Sequence, residues 1–535
     1  MKSIKKFLAV ILSMTLMLTL GTATFGAQKT LPSGKDTGSI NVTNLKPGDT
    51  VTAYQFVKAD YNEYGFTGYS AINNYVKDPV APTAQEVIDM ASNAATMTVA
   101  AEKKVATGDT EVTLNGLPVG YYLVMVTSGS ETVYSPMIAG IYYSKSATDN
   151  TLTNGAISAD SDFEIKAQKC WAKSSTPKLE KTIVTPSSKN SKGDDIAIGD
   201  KITFNLSATV PSYSKEYKKV TYKIYDIMSE GLDYVDGSMK CFIEKYENNR
   251  ENIKATPKVN GGIIEITFDS KFILEHPGQK IQVEYQAKLN EKAGVNFDAN
   301  INKAYLEYSN NPASGSTAKT GEDKVYVYTF GIDSNLFGKS TEKWNEKTKE
   351  LIKVEEGEYQ WVETEKESGI FTTTTALEGA TFTLTNNKTK KSYTATSDKY
   401  GYLKFTGLDA GEYTLQETDA PDGFTLNDAK HTVVITAEYN QDGTLKSYTI
   451  KIDDKATSTY TATYDKGVIK TITSTKDSQG NISESAILKN SKMSFLPSTG
   501  GVGTTIFAIV GVVFVAAALG LHMILRGKSK LEQDR

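Results

Sequence analysis

Short segments in which apolar and polar residues alternate recur along the chain, and they restrict its fold more than any other feature. Residues 201–208 read Lys-Ile-Thr-Phe-Asn-Leu-Ser-Ala, and residues 262–268 read Gly-Ile-Ile-Glu-Ile-Thr-Phe. Successive side chains of a strand point to opposite faces, so this pattern is typical of strands with one buried face. Turn-forming residues separate the segments. The sequence therefore predicts an all-β protein built from sandwich domains.

One stretch of the chain, residues 83–101, favours a helix instead. Thr83 precedes it, and Thr is a good N-cap residue because its hydroxyl accepts from a free backbone N–H of the first turn. We expect a single helix there, beginning after Thr83.

The N-terminus has the order of charges and apolar residues that is typical of a secretory signal peptide. Lysines at positions 2, 5 and 6 precede an apolar stretch that extends to Leu20, and small residues follow up to Ala27. Residues 1–27 are therefore predicted to be a signal peptide, which the mature protein lacks.

The C-terminus carries a short motif, an apolar run and a basic tail in that order. The motif consists of Leu496, Pro497, Ser498, Thr499 and Gly500. The apolar run, 506–525, is long enough to cross a bilayer once, and basic residues follow it. An ordinary single-pass membrane protein would share the run and the tail, but not the motif.

This arrangement, residues 496–535, resembles the cell-wall sorting signal that sortases recognise. The resemblance implies that a sortase cleaves between Thr499 and Gly500 and passes the Thr499 acyl group to an amine. We therefore expect a secreted product that is covalently attached to the cell wall.

Composition excludes several function classes. A net charge of −4 over 535 residues does not favour nucleic-acid binding. With two Cys and three His there is little material for a metal site, so we expect no metal and no cofactor. No Ser/His/Asp or Cys/His arrangement indicates a hydrolase. Cys170 and Cys241 either pair as one disulfide or remain two separate buried thiols, and the sequence leaves both open.

The mature chain is long enough for about three domains. We place a first domain at 28–172, a central domain at 173–328 and a third domain at 329–495, with a polar joint that contains Pro177 after the first. The order of segments in the central domain resembles the central domain of Gram-positive backbone (major) pilins. Residues 413–424, Tyr-Thr-Leu-Gln-Glu-Thr-Asp-Ala-Pro-Asp-Gly-Phe, resemble the pilin E-box at every fixed position.

The segment around the E-box resembles a CNA-B domain, as found in collagen adhesins and pilins. The family resemblance implies tandem immunoglobulin-like β-sandwiches in an elongated array. It also implies that domains are closed internally by Lys–Asn isopeptide bonds. Such a bond needs a neutral amine and a polarised amide. Burial favours the neutral amine, and a buried carboxylic acid can polarise the amide and move protons.

The resemblance assigns residues to these bonds. In the central domain it gives Lys181, with Asp226 as the promoting acid and Asn302 as the amide. In the third domain Glu417 is the acid and Asn490 the amide. The lysine there is Lys339 or, as an alternative, Lys343, because Leu336 occupies a place where a lysine is usual. The sequence of the first domain shows no comparable trio, and it leaves open whether that domain has an internal bond.

A polymer also needs an acceptor lysine, which backbone pilins carry in a motif that resembles Tyr-Pro-Lys-Asn. Here the corresponding place reads Cys-Trp-Ala-Lys-Ser at 170–174, so the aromatic residue and the lysine are present without Pro and Asn. Lys173 is our predicted acceptor and Lys169 the alternative.

The resemblance implies a structural shaft subunit of a covalently polymerised pilus, joined head-to-tail and supporting adhesion. It is a sortase substrate and not an enzyme, apart from self-linkage during folding. Its partners would be a pilus-class sortase, a housekeeping sortase, other copies of itself, ancillary pilins, peptidoglycan and a host ligand that the sequence does not identify. The alternatives are a monomeric wall-anchored adhesin and an ancillary pilin.

Overall fold

The computed structural model of the chain describes residues 31–490 with internal gaps. The gaps are 130, 146–151, 159–160, 185, 188–189, 214–216, 246–248, 312–314, 333–337, 342–348, 356–357, 364–372, 376, 399–402, 454–455 and 477–486. The predicted signal peptide and the sorting signal, including Thr499, lie outside these residues. No helix in the part that the structure describes is long and apolar enough to cross a membrane.

The first domain consists of strands that form one larger sheet and two smaller ones. Their bounds are β1 Thr37–Thr43, β2 Thr50–Asn62, β3 Gly65–Ala71, β4 Val99–Lys104, β5 Glu111–Pro118, β6 Gly120–Thr127, β7 Val133–Tyr134, β8 Met137–Ser144, β9 Glu164–Ala167, β10 Lys169–Trp171 and β11 Ser174–Ser175. The larger sheet has the order β3-β2-β6-β8-β9, and β10-β1-β5 and β11-β7 form the others. Because β11 pairs with β7, strand pairing within this domain continues past residue 172.

The helix of the first domain is shorter than the sequence suggested. Helix α1 spans Ala84–Ser92 and is followed by a short 3-10 turn, Ala94–Thr96. Thr83 is its N-cap, as predicted, and Glu86 completes a capping box. The stretch 83–101 is not one helix, since residues from Val99 onward belong to β4, which pairs with β2. Tertiary pairing outweighs local helix propensity at that end.

The central domain is a sandwich of two sheets. Its strands are β12 Leu179–Ile183, β13 Gly193–Asp195, β14 Lys201–Thr209, β15 Tyr222–Met228, β16 Leu232–Tyr234, β17 Lys240–Lys245, β18 Asn249–Ile253, β19 Thr256–Asn260, β20 Ile263–Thr267, β21 Lys280–Leu289, β22 Asn300–Ser309, β23 Thr317–Lys319 and β24 Asp323–Tyr328. One sheet has the order β12-β14-β21-β17-β18 and the other β13-β24-β22-β15-β20-β19. A short helix, α2 (Ser270–Glu275), follows β20 and is capped by Asp269.

The alternation seen in the sequence determines what fills this sandwich. In β14, Ile202, Phe204, Leu206 and Ala208 are buried, and the residues between them are exposed or half-buried. The inward side chains of both sheets form one apolar core. Removing that much apolar surface from water is the main stabilising contribution to such a sandwich.

The third domain contains one large antiparallel sheet and smaller strand pairs. Its strands are β25 Phe330–Ile332, β26 Gly338–Thr341, β27 Lys349–Glu355, β28 Glu358–Glu363, β29 Thr373–Thr375, β30 Thr381–Asn386, β31 Ser392–Thr396, β32 Phe405–Leu408, β33 Gly411–Asp419, β34 Lys430–Tyr439, β35 Leu445–Ile452, β36 Ala456–Asp465, β37 Val468–Lys476 and β38 Ile487–Asn490. The large sheet has the order β31-β30-β33-β34-β35-β36-β37, and the other groups are β25-β32, β26-β38 and β27-β28-β29. The prediction of an all-β fold with tandem sandwich domains is confirmed.

Candidate functional site

The central domain buries a lysine completely. Lys181, in the middle of β12, has an exposed fraction of 0%, and within the described ranges it is the one lysine classed as buried. Burying an ammonium group is costly unless the charge is paired or lost. Burial lowers the pKa of Lys181 below its ordinary value, and the nearby Asp226 carboxylate opposes that shift. The site therefore favours the neutral amine more than solvent does.

The site is assembled from both sheets of the sandwich. One sheet contributes Lys181 from β12 and Tyr285 from β21, and the facing sheet contributes Asp226 from β15 and Asn302 from β22. In the second sheet Asn302 lies opposite Met228, two residues along β15 from Asp226. All four side chains occupy inward positions of alternating strands, so each is fully buried.

Hydrogen bonds connect the four side chains into one network. Lys181 Nζ donates to Asp226 Oδ2 and, at 3.0 Å, to the Tyr285 hydroxyl. Tyr285 donates to Asp226 Oδ1 at 2.7 Å, and Asn302 Nδ2 donates to the same hydroxyl at 2.7 Å. The Phe204 ring lies 5.0 Å from Lys181 Nζ. A lysine, an acid and an amide are thus held together in an apolar, aromatic surrounding.

The structure brings together the three central-domain residues that the sequence singled out, and it adds one that the sequence analysis missed. Tyr285 contacts all three of them. A buried Tyr at an inward position of an alternating strand, after Ile281 and Val283, needs a partner for its hydroxyl, and that signal was available in the sequence.

The acid contacts the amine and the tyrosine, and the amide contacts the tyrosine. Asp226 accepts from Lys181 Nζ and from the Tyr285 hydroxyl. Asn302 Oδ1 has no hydrogen-bond partner among the described residues. Strand β22, which carries Asn302, is not the closing strand of the domain, because β23 and β24 follow it.

Polar contacts also fix the strand that carries Lys181. Its backbone N–H donates to Asp323 Oδ2 at 2.7 Å. Lys192 Nζ donates to the same oxygen and to the Lys181 carbonyl, at 2.6 Å each. These contacts hold β12 against β24, so the backbone of Lys181 is tied to the facing sheet independently of its side chain.

The third-domain set is described only in part. Glu417, in β33, is 2% exposed, and the backbone N–H of Asn427 donates to its Oε2 at 2.7 Å. Strands β26 and β38 pair in parallel, with Lys339 opposite Leu488 and Thr341 opposite Asn490. The predicted lysine and amide therefore lie two positions apart in register on adjacent strands. Lys343 lies outside the described residues.

Both candidate acceptor lysines are exposed. Lys169, Trp171 and Lys173 face solvent and alternate with the buried Cys170 and Ala172. Trp171 is 70% exposed. The Lys173 carbonyl accepts from Ser135 N–H at 2.9 Å, so its backbone is fixed while its side chain is free to be reached. Because both side chains are exposed, exposure does not decide whether Lys173 or Lys169 is the acceptor.

The two cysteines are separate buried thiols. Both are free, and they belong to the cores of different domains, Cys170 to the first and Cys241 to the central one. Burial raises the pKa of Cys170 to about 12 and that of Cys241 to about 11. Neither thiol is therefore activated as a nucleophile. Over the described ranges, no group of His, Cys, Asp and Glu residues could hold a metal ion.

Three family models match parts of the chain. Residues 35–174 match the T6 antigen Ig-like domain, residues 360–453 match the SpaA prealbumin-like fold domain, and residues 489–530 match the LPXTG cell wall anchor motif. The second match contains Glu417, and the third contains Thr499.

The chain is also similar to a curated relative and to solved structures. The chain is 26% identical over 549 residues to the trypsin-resistant surface T6 protein of Streptococcus pyogenes serotype M6, which covers 93% of this chain and 96% of the relative. The solved T6 backbone pilin of serotype M6 Streptococcus pyogenes matches with a TM-score of 0.58 and 21% identity, over 86% of this chain and 100% of that one. The full-length major pilin SpaD of Corynebacterium diphtheriae matches with a TM-score of 0.45 and 16% identity, over 88% and 100%.

Proposed function

We propose that this chain is a sortase-assembled major pilin of the Gram-positive cell wall and that it forms the shaft of its pilus by head-to-tail linkage through Thr499 and Lys173. The observation that carries wall attachment is the cell wall anchor match over residues 489–530. The relative that spans 93% of the chain is itself a surface protein. The chain is a substrate of sortase rather than an enzyme.

The proposed link joins the C-terminal motif of one subunit to a lysine at the end of the first domain of its neighbour. The Thr499 acyl group of one copy is transferred to the Lys173 amine of the next, and a repeating contact of this kind does not close on itself, so a fibre results. Exposure of Lys173 between β10 and β11 supports this assignment, because an enzyme that carries an acyl chain must reach the amine. A pilus-class sortase would join the subunits, and a housekeeping sortase would transfer the base to peptidoglycan.

Lysine variants test the shaft assignment and the choice of acceptor. Lys169→Ala is the matched control for Lys173→Ala, since both lysines are exposed near the same strand. Reducing SDS gels of wall extracts should show a ladder for the wild type and for Lys169→Ala, and a single band for Lys173→Ala. A ladder in Lys173→Ala that Lys169→Ala lacks would make Lys169 the acceptor. A single band in the wild type would favour the monomeric wall-anchored adhesin.

The central domain supports a second proposal, an internal bond between Lys181 Nζ and Asn302 Cγ with loss of ammonia. The carrying observation is the buried network in which Lys181, Asp226 and Asn302 meet. Asp226 takes the amine proton, and the neutral amine attacks the amide carbon. Positioning by two rigid sheets replaces a bimolecular encounter, which supplies a large part of the acceleration. The bond joins the two sheets of the sandwich.

A third-domain bond between Lys339 and Asn490, promoted by Glu417, is proposed on more limited grounds. Its support is the burial of Glu417 and the pairing of β26 with β38. The bond would connect strands near the start and the end of the domain. Lys343 remains the alternative amine.

The mass of the intact chain shows how many of the two internal bonds have formed. Each bond lowers the mass of the chain by one ammonia molecule, so two bonds give a deficit of two. Lys181→Ala and Glu417→Ala should each restore one ammonia. Lys303→Ala is the control, because it removes a half-exposed lysine next to Asn302 on β22 whose ammonium pairs with Glu322 and does not enter the network. A wild-type mass without any deficit would exclude the internal bonds and would leave the shaft proposal to the gel experiment.

A further inference from the structure

The Tyr285 hydroxyl occupies the centre of the buried network. Tyr285 is fully buried on β21, and its oxygen lies 3.0 Å from Lys181 Nζ, 2.7 Å from Asp226 Oδ1 and 2.7 Å from Asn302 Nδ2. These atoms are the nucleophile, the acid and the leaving nitrogen of the proposed bond. A single hydroxyl is thus within hydrogen-bonding distance of every group that gains or loses a proton.

The acid does not reach the amide by itself. Within the described residues, the side-chain hydrogen bonds of Asp226 go to Lys181 and Tyr285, and the side-chain hydrogen bond of Asn302 goes to Tyr285. An amide nitrogen leaves only after it is protonated, because the NH₂ anion is a very poor leaving group. Any proton that passes from Asp226 to Nδ2 along these contacts must therefore cross the Tyr285 hydroxyl.

The Tyr285 hydroxyl carries its proton at neutral pH. Burial, followed by the nearby Asp226 charge, raises the pKa of Tyr285 well above its ordinary value. The group is therefore held as O–H at neutral pH. Its oxygen can accept a replacement proton from Asp226 as its own proton is transferred, so no tyrosinate has to form in the apolar interior.

We propose that Tyr285 is a catalytic residue of the Lys181–Asn302 linkage and relays a proton from Asp226 to the leaving nitrogen. This inference rests on the proposed internal bond. Asp226 first takes a proton from the Lys181 ammonium, and the neutral amine forms a bond to Asn302 Cγ. Tyr285 then protonates Nδ2 and is reprotonated by Asp226, which afterwards takes the second proton from Nζ.

The step balances in atoms and charge. The Cγ–Nδ2 bond breaks and ammonia leaves, while the new amide joins Nζ to Cγ. An ammonium and a carboxylate at the start become a neutral carboxylic acid and neutral ammonia at the end. No oxidant, reductant or further reactant is needed.

The test follows linkage in time with Tyr285→Phe, which keeps the ring and removes the hydroxyl. The full chain is made by cell-free translation, aliquots are quenched in acid, and the peptide that joins Lys181 to Asn302 is quantified by mass spectrometry. Tyr222→Phe is the matched control, because Tyr222 is buried in the same core and its hydroxyl has no hydrogen-bond partner among the described residues.

Tyr285→Phe should link more slowly than the wild type by a factor on the order of 10²–10⁴, the usual contribution of a positioned proton donor. Tyr222→Phe should link at the wild-type rate. Equal rates for Tyr285→Phe and the wild type would overturn the relay. A wild type that never links would instead exclude the internal bond itself, so the two failures are distinguishable.

A second variant keeps the test decisive if Tyr285→Phe does not fold. Site-specific replacement of Tyr285 by a fluorinated tyrosine keeps the hydroxyl and its contacts but makes it more acidic. A relay predicts a changed linkage rate and a changed pH profile, whereas a purely structural hydroxyl predicts the wild-type rate. An unchanged rate and profile would overturn the proposal.

Discussion

The central domain and the first domain each contain a fully buried aspartate, Asp226 and Asp49. Both carboxylates accept a hydrogen bond from a tyrosine hydroxyl, but their other donors differ. Tyr285 donates to Asp226 at 2.7 Å, and Tyr134 donates to Asp49 at 2.6 Å. The other donors to Asp49 are the backbone N–H groups of residues 46 and 129 and a serine hydroxyl. The other donor to Asp226 is the Lys181 amine.

The two sets of partners give Asp49 a structural role and place Asp226 for a reaction. An acid–tyrosine pair is a stable way to bury a carboxylate when backbone donors satisfy the other oxygen. It becomes a candidate for amide chemistry only when an amine and an amide share the tyrosine hydroxyl. We therefore expect the first domain to depend on hydrogen bonds alone and the central domain to depend on a covalent bond as well.

The largest difference should appear when each acid is removed. Asp226→Ala should abolish the Lys181–Asn302 bond and leave a buried amine without its acid. The bond closes a loop of about 120 residues, so losing it lowers the free energy of unfolding by roughly 4–5 kcal/mol from chain entropy alone. The unpaired amine adds a further cost of about 3–5 kcal/mol when it is charged. Denaturant unfolding and cross-linked peptide analysis measure both changes.

Asp49→Ala is the control for that experiment. It also removes a buried carboxylate that accepts from a tyrosine hydroxyl, but it should leave the Lys181–Asn302 peptide fully linked. If the Lys181–Asn302 bond still formed in Asp226→Ala, Asp226 would not promote the reaction, and the two aspartates would not differ in chemical role.

A third buried carboxylate, Asp195, extends the comparison to the contact between the central and third domains. It is 5% exposed on β13, and across the interface Tyr439 donates to Oδ2 at 2.6 Å and Ala410 N–H donates to Oδ1. Burial raises its pKa to about 6, and Asp194 and Asp409 reinforce that shift. The hydrogen bonds from Tyr439 and from the Ala410 N–H oppose the rise in the pKa of Asp195 without cancelling it.

The sign of the resulting pH dependence follows from the raised pKa. The folded protein holds this proton more tightly than the unfolded chain, so the contribution to stability is largest at acidic pH and is lost as pH rises through about 6. The shift from 3.8 corresponds to at most about 3 kcal/mol. The quantity to measure is the hydrogen-exchange rate of the Ala410 amide in the wild type divided by its rate in Asp195→Asn. This ratio should be smaller at pH 4.5 than at pH 7. An equal pH dependence in both proteins would contradict this expectation.

Much of the fold and the central site could be predicted from the sequence, for identifiable physical reasons. Alternation in a segment such as 201–208 fixes which side chains face inward, and β14 buries them. Lys181, Asp226 and Asn302 were identified by resemblance and are brought together by the two sheets. That resemblance is to the central domain of backbone pilins, and it rests on the order in which the segments follow one another in the sequence.

What could not be predicted depends on contacts between strands that are distant in sequence. Tyr285 lies 59 residues from Asp226, and nothing local indicates that the two side chains meet. The helix end was misjudged because residues from Val99 onward pair with β2, which no local propensity reports. The separation of Cys170 and Cys241 likewise follows from the packing of two domains and not from their spacing.

The smallest expected effect concerns the tyrosine of the first-domain pair. Tyr134→Phe removes a buried hydrogen bond to the Asp49 carboxylate, and bonds to charged groups contribute about 1.5–3 kcal/mol. We expect a loss of about 2 kcal/mol in the free energy of unfolding of the first domain, with the Lys181–Asn302 linkage formed at the wild-type rate.

Tyr122→Phe is the control, because its hydroxyl donates to a neutral backbone carbonyl, that of Pro118, and its loss should cost about 1 kcal/mol. Hydrogen exchange resolved by domain measures both losses. A linkage slowed by Tyr134→Phe would mean that the two acid–tyrosine pairs are coupled, and the contrast between a structural and a reactive aspartate would then have to be abandoned.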